Sequence, residues 1–226
     1  MVRTDSKVER HDDDIIAVAR KDMRPWIESP YYEAAREDVE RFWRQSSIFR
    51  QFFDKMNHRH LIELACGQGR HVPMVLTLPD VERYIGIDIV ESNIEFCRRA
   101  VPICERVSFL VNSGAAYDDV NDGWASAIFC YDAMVHFDSD VVRAYLRDTM
   151  RVLAPGGCAL FHHSNYMNNP GGNYPSNPHA RNFMSKQLFA HYGIKAGLEI
   201  LQSEAMRWGN DADLDCITLL RRPCDV

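Results

Sequence analysis

The sequence predicts an α/β fold, a mostly parallel sheet of seven strands, doubly wound with helices on both faces and covered by helices at its N-terminal end. Three features carry that expectation. From Leu61 onward, short apolar runs alternate five times with segments of helical period, the pattern of βα units in a parallel sheet. A turn containing Gly67 and Gly69 joins the first run to the first helical segment. Two further apolar runs, "LEILQSE" and "LDCITLLRR", close the chain and bring the strands to seven. With 226 residues, 46% of them apolar, the chain buries the core of a single large domain. Residues 1–58 read as a helical lid, 59–222 as the core, and 164–185 as a loop on the substrate side.

"DDIIAVARK" has helical character, and Ser29-Pro30 has the form of an N-cap and first position. The helix they open runs to about Gln45, with Tyr32, Ala35, Val39, Phe42 and Trp43 on one face. "HLIELA" reads as a buried strand and "HVPMVLTL" as a helix with Pro73 in its first turn, where proline is tolerated. "RYIGID" is the second strand. Ser92-Asn93-Ile94-Glu95 has the spacing of a capping box for a helix to about Ala100. "VSFLVN" and "SAIFCYD" are strands three and four. A helix from about Ser139 to Leu153 turns Val142, Tyr145, Leu146, Met150 and Leu153 inward and stops at Pro155-Gly156-Gly157. "CALFHHS" is the fifth strand, and "SKQLFAHYGIKAG" the last helix.

Charge and composition narrow the function. A net charge of −6 and a pI near 5.8 leave no basic excess for a phosphate backbone, which argues against nucleic acid as a partner. "MVRTDSKVERHDDD" is too charged for a signal peptide, and no apolar run approaches the roughly 20 residues of a membrane span. The expectation is a cytoplasmic protein with no membrane partner. Seven cysteines, none spaced as CxxC, fit free thiols in a reducing compartment better than disulfides or structural zinc.

In open parallel sheets, ligands lie beyond the carboxyl ends of the strands. Gly67 and Gly69 stand at such an end, where glycine allows close approach to the backbone. Asp88 ends the second strand about 20 residues later, placed to take the hydroxyls of a ribose. A nucleoside-bearing ligand follows. The third small residue of a dinucleotide fingerprint is missing, because Gly69 is followed by Arg70, His71 and Val72, and no GxxxxGK[ST] phosphate cradle occurs in this turn.

The chain resembles the class I S-adenosylmethionine-dependent methyltransferases. Glu63-Leu64-Ala65-Cys66-Gly67-Gln68-Gly69 is similar to their acid-x-Gly-x-Gly-x-Gly loop, with Ala65 in place of the first glycine. Asp88 matches the ribose acid, "NSGA" at Asn112 to Ala115 the adenine-side turn, and "VLAPGG" from Val152 the turn before strand five. The resemblance spans roughly Arg59 to Arg222. It implies a Rossmann-like fold whose final two strands form an antiparallel hairpin, with S-adenosyl-L-methionine as cofactor. Residue by residue, it implies that Glu63 holds the methionine ammonium group and that the backbone of Ala65, Gly67 and Gly69 lines the sulfonium region. Asp88 takes the ribose, Ser113 and Ala115 flank the adenine, and Ile89, Gly114 and Tyr131 complete the cofactor set. Ser113 departs from the acid found there in many relatives. Glu63 has the alternative of pairing with Arg70 or Arg59, and Asp88 that of a simple turn residue before Ile89.

Methyl transfer to an alcohol also needs a base, for which histidine suits neutral pH. Asp132 and His136 lie four residues apart after strand four. On one helical turn the carboxylate would orient the imidazole. His162 and His163 end strand five, where side chains alternate, so at most one faces the site. The acid clusters that hold magnesium in metal-assisted relatives are not evident, and no metal is expected. The loop Ser164–Ser185, with Tyr166, Tyr174, His179 and Arg181, is long and polar and is expected to cover a hydroxyl-rich acceptor. Trp26, Tyr31, Tyr32 and Trp43 are expected to form a lid or to pack in the core. The fourth strand is followed by Tyr131-Asp132-Ala133-Met134 instead of [DNS]-P-P-[YF], and the one Pro-Cys pair is Pro223-Cys224 at the tail, so nucleic-acid bases are not the expected acceptor. The expectation is O-methylation of a small hydroxyl-bearing metabolite, a sugar or glycoside among them. N-methylation of a small amine, a non-catalytic cofactor-binding protein and an NAD-linked oxidoreductase are the alternatives.

Overall fold

In a computed structural model, which describes residues 5–102, 104–171 and 174–224, the apolar run after Arg59 forms strand β1 (His60–Leu64), buried from Leu61 onward. Strands β2 (Arg83–Asp88), β3 (Val107–Val111), β4 (Ala125–Cys130) and β5 (Leu153–Ser164) join it in parallel. Strand β7 (Asp211–Arg221) lies antiparallel between β5 and β6 (Glu199–Trp208), giving the order β3-β2-β1-β4-β5-β7-β6. Seven strands and a closing antiparallel hairpin are as expected. The order reverses at β1, between β2 and β4, so the ligand crevice of such a sheet opens at the ends of these three strands.

Alternation along the strands divides the core in two. On one face Ile62, Ile128 and Phe161 pack with Ile15 and Ala19 of α1 (Asp5–Asp22), Val142 and Leu146 of α7 (Ser139–Val152) and Phe189 of α8 (Lys186–Lys195). On the other, Leu61 and Phe129 meet α3 (Val39–Trp43), α4 (Ile48–Phe53), α5 (Val72–Val75) and α6 (Glu91–Ala100) through Trp43, Phe49, Phe53, Val75 and Ile94. Among the described residues no helix is long and apolar enough to cross a membrane.

Several local expectations are corrected. The helix from Ser29 to Gln45 is divided at Asp38 into α2 (Tyr31–Glu37) and α3. The division lets Tyr31 and Tyr32 face the crevice while Phe42 and Trp43 enter the core. Ser29 precedes Pro30, and its Oγ accepts from the Tyr31 amide at 3.3 Å. Helix α4, not foreseen, is capped by Ser47, whose Oγ accepts from the Arg50 amide at 3.1 Å. No capping box forms at Ser92: α6 begins after Val90, whose amide donates to Asp88 Oδ1 at 2.8 Å. Helix α5 is one turn long. Pro155-Gly156-Gly157 does not end a segment but forms a bulge inside β5, where the pairing with β4 jumps from Ala125–Leu153 to Ala127–Cys158.

Candidate active site

The loop after β1 is shaped by two left-handed residues. Ala65 has φ +56° and Gly67 φ +54°. The first is unfavourable by roughly 1–2 kcal/mol for a residue bearing a Cβ. Gly67 has a second reason, since a Cβ would lie 2.8 Å from Tyr32 Cε1. Asp88, at the end of β2, holds the loop in place: its Oδ2 accepts from the Gly67 amide at 2.8 Å and its Oδ1 from Asn93 Nδ2 at 3.3 Å as well as from Val90. Burial raises the Asp88 carboxyl, and these three donors oppose the rise. Since an ionised carboxylate accepts about four hydrogen bonds, it retains capacity for a ligand hydroxyl.

Glu63, 3% exposed, pairs with neither Arg70 nor Arg59 by hydrogen bond. Its Oε2 accepts from the Tyr84 hydroxyl at 2.5 Å. Burial outweighs this bond and Arg70, and pushes its carboxyl up to about 8. It lines the crevice with Leu64, Ala65, Cys66, Gly67 and Asp88 and suits a cation brought by a ligand.

Beyond β4 the chain turns sharply, with Asp132 at φ +57°. Asp132 and His136 both line the crevice, but the carboxylate does not orient the imidazole. Asp132 Oδ2 accepts from the Tyr31 hydroxyl and from both terminal nitrogens of Arg70 at 3.3 Å. Burial and the neighbouring Asp132 push the Tyr31 hydroxyl up to about 12, so it remains a donor. His136, on a short 3-10 turn (Met134–His136), bonds through Nδ1 to the Ala180 carbonyl at 2.7 Å. A carbonyl only accepts, so Nδ1 carries the proton and Nε2 keeps its lone pair. His179 and Ala180 have φ +48° and +52°, an unfavourable pair of left-handed residues that aims this carbonyl. Trp26 packs over the imidazole at 4.7 Å between centroids.

Neither strand-five histidine lines the crevice. His163 turns to the other face, stacked on Phe189 at 3.7 Å with Nε2 2.9 Å from Thr218 Oγ1. His162 is buried under Tyr131 and acts on the site through Asp132: its Nδ1 accepts the Asp132 amide at 3.1 Å, so its Nε2 donates to Asp215 Oδ2 at 3.0 Å. Arg181 completes this group, donating to Asp215 at 2.8 and 2.6 Å. Burial alone would raise the Asp215 carboxyl, but His162 and Arg181 outweigh it and hold it below the usual range. Arg181 is 2% exposed and Asp215 fully buried. Asp215→Ala, which strands this guanidinium, is expected to cost about 3–5 kcal/mol of stability, read as a lower urea midpoint at unchanged slope.

The crevice encloses about 1020 Å³, counted to its open mouth. Trp26, Tyr31 and Tyr32 cover it with Ala19 and Met23 of the N-terminal segment, whereas Trp43 is a core residue against Phe49 and Phe53. Of the residues expected to meet the cofactor, Ile89, Gly114 and Tyr131 line the crevice, but Gly69, Ser113 and Ala115 do not. Ser113 bonds to Asp118 instead, through both its amide and its hydroxyl. Asn112 takes its place at the crevice. Asn112 Nδ2 donates to Ala116 O and Tyr145 Oη, leaving a buried Oδ1 with no partner among the described residues. None of the described residues of the 164–185 loop lines the crevice. The loop stands behind His136, and Tyr174 donates to the Asp22 carbonyl at 2.7 Å. Gly172 and Asn173 lie outside the described residues. The residues not foreseen, Arg70 and Asn112, were visible in the sequence only as neighbours of the two turns.

Residues 61–157 match the family described as a methyltransferase domain. Among solved structures, an S-adenosylmethionine-dependent methyltransferase from Mesorhizobium loti superimposes with a TM-score of 0.62 at 14% identity, over 77% of this chain and 97% of that one. Geranyl diphosphate C-methyltransferase from Streptomyces coelicolor A3(2), in complex with Mg2+, geranyl diphosphate and S-adenosyl-L-homocysteine, gives 0.60 at 14% identity, over 76% of each chain. The [4+2]-cyclase SpnF gives 0.62 at 16%, over 88% of this chain and 85% of its own. No curated protein matches the sequence. These likenesses show the fold: a seven-stranded sheet with a closing antiparallel hairpin, shared with a structure of an S-adenosylmethionine-dependent methyltransferase. The crevice carries a buried carboxylate with remaining hydrogen-bond capacity at Asp88, a second that suits a cation at Glu63, and at Asn112 a buried amide oxygen with no partner among the described residues.

Proposed function

We propose that this protein methylates the oxygen of a small hydroxyl-bearing molecule. The observation that carries the reading is His136: a neutral imidazole on the crevice wall, its tautomer set by Ala180, with Nε2 open to accept a proton. S-adenosylmethionine, when bound, supplies an electrophilic methyl group on sulfur. Glu63 would hold its ammonium group, the backbone at Ala65 and Gly67 the sulfonium region, Asp88 the ribose, and Asn112 and Gly114 the adenine. His136 Nε2 takes the hydroxyl proton of the acceptor as the oxygen is methylated, and its burial under Trp26 limits access of water. An amine acceptor, arriving unprotonated, would need no such base. The seven free cysteines suit a reducing, cytoplasmic setting for this reaction.

The donor half is tested by calorimetry with S-adenosylhomocysteine, NADH serving as control. Asp88→Ala is expected to weaken binding at least tenfold, or about 1.4 kcal/mol, because it removes both the ribose partner and the anchor of the Gly67 amide. Binding indifferent to Asp88 would refute the cofactor assignment. The acceptor half is tested with a panel of small alcohols and amines, by product mass and by fragmentation that locates the methyl group. A methyl ether is expected; methylated amines alone would establish N-methylation instead.

A further inference from the structure

Asp132 is 9% exposed and lines the crevice, yet its contacts are one-sided. Tyr31 Oη and both terminal nitrogens of Arg70 converge on Oδ2, while Oδ1 has no partner among the described residues. Oδ1 is not among the fully buried atoms, so its lone pairs are open to a donor in the crevice, and the fold keeps them there. The His162 ring takes the Asp132 amide and thereby holds the left-handed turn, and Asp215 and Arg181 in turn hold the ring. Oδ1 is thus aimed by a buried network that reaches across to β7.

The same wall carries His136, four residues on. Trp26 joins the two, packing at 4.7 Å on the His136 ring and at 5.6 Å on Tyr31, whose hydroxyl touches Asp132. The acceptor end of the crevice therefore offers two hydrogen-bond acceptors, Nε2 and Oδ1, beside one indole face. It offers no spare cation. Arg70 is spent on Asp132 and the Tyr131 carbonyl, and Arg36 on Gln68 and the Phe96 ring. The other charged groups on the wall are Asp22, Asp88 and Asp138, so the field there is negative and opposes anions.

We infer that the acceptor is a polyol or amino alcohol, with a second hydrogen-bond donor close to the methylated hydroxyl, and that Asp132 Oδ1 is the group that recognises this donor. The inference rests on the methyltransferase reading above and names its substrate class. A carboxylate or phosphate ester near the reacting hydroxyl is excluded by the same charges.

Four acceptors of one size test it: cyclohexanol, cis-1,2-cyclohexanediol, trans-2-aminocyclohexanol and cis-2-hydroxycyclohexanecarboxylate, each with S-adenosylmethionine and product detection by mass. Sites that hydrogen-bond a substrate donor discriminate strongly against analogues that lack it. The diol or the amino alcohol is therefore expected to exceed cyclohexanol by at least about tenfold in kcat/KM, with the hydroxycarboxylate the poorest. A larger gain for the amino alcohol identifies charge as the feature read, and a larger gain for the diol identifies neutral donors. Cyclohexanol equal to the diol, a preferred hydroxycarboxylate, or no product from any of the four while S-adenosylhomocysteine still binds would each overturn the substrate class and leave the donor assignment standing. Failure of S-adenosylhomocysteine to bind would instead remove the methyltransferase reading itself. In Asp132→Asn, Tyr31 and Arg70 keep the carboxamide oxygen, and the amide nitrogen turns a donor toward the crevice. The advantage of the diol is then expected to fall below about twofold, and an undiminished advantage would exclude Asp132. The wild-type comparison needs no variant and decides the substrate class even if Asp132→Asn does not fold.

Discussion

His136→Ala is expected to lower kcat on an alcohol acceptor by about 10²- to 10⁴-fold, the usual contribution of a positioned general base. His136→Gln, which keeps a hydrogen-bond acceptor but not a proton acceptor, should recover little of it. Burial holds the His136 imidazole down to about 4, against the opposing hydrogen bond to Ala180. The reactive form is the neutral ring, so the sign is fixed: log kcat at saturating cofactor is flat from high pH down to about pH 5 and falls as the ring is protonated through about 4. A rate limb near the ordinary histidine value of about 6.5, or an unchanged kcat in His136→Ala, would remove His136 from the mechanism.

Cofactor affinity is expected to rise about tenfold per pH unit up to about pH 8 and to level off above it, because burial pushes the Glu63 carboxyl to about 8. Below that value the folded, ligand-free protein carries Glu63 protonated, and an ammonium group binds its ionised form, so binding expels a proton. Between pH 6 and pH 8 the effect amounts to about 50-fold in Kd for S-adenosylhomocysteine, by the same linkage. Calorimetry in buffers of different ionisation enthalpy measures the released proton directly. Glu63→Gln should abolish both the slope and the proton release. A slope that persists in this variant would assign it to another group. For the ligand-free protein the same shift runs the other way. The stability that Glu63 contributes as a neutral acid is complete below its unfolded value of about 4.3 and is lost as pH rises through about 8.

The acceptor chemistry is the part that the fold leaves open. The C-methyltransferase and the cyclase among the similar structures share the sheet and differ in reaction, as expected when function lies in the groups mounted at the strand ends. On the proposed reading those groups are His136 and Asp132, and the experiments on them decide between an oxygen and a nitrogen acceptor independently of the fold.

Local spacing was enough to read the sheet, the Gly67 turn, the Asp88 carboxylate and the places of Asp132 and His136 at the crevice. Each of these depends on residues within one strand, one turn or one βα unit, where periodicity and backbone preference act directly. The partners were decided by the tertiary structure. Asp132 was expected to orient His136, four residues away, but its contacts come from Arg70 and Tyr31, 62 and 101 residues distant. His136 is held from Ala180, 44 residues on, and His162 from Asp215, 53 residues on. Ser113 looked like the adenine-side residue by position, yet Asp118 takes it, and Asn112 is left with a buried oxygen that has no partner among the described residues. The physical reason is common to all of these. A side chain's face and its turn are set by its immediate neighbours, whereas the donor that satisfies a buried carboxylate or imidazole is whichever one the packing of distant strands and helices brings within hydrogen-bond reach. The sequence by itself determined the fold, the glycine loop after the first strand and the positions of Asp132 and His136; the packing alone determined which of their atoms remain free to act.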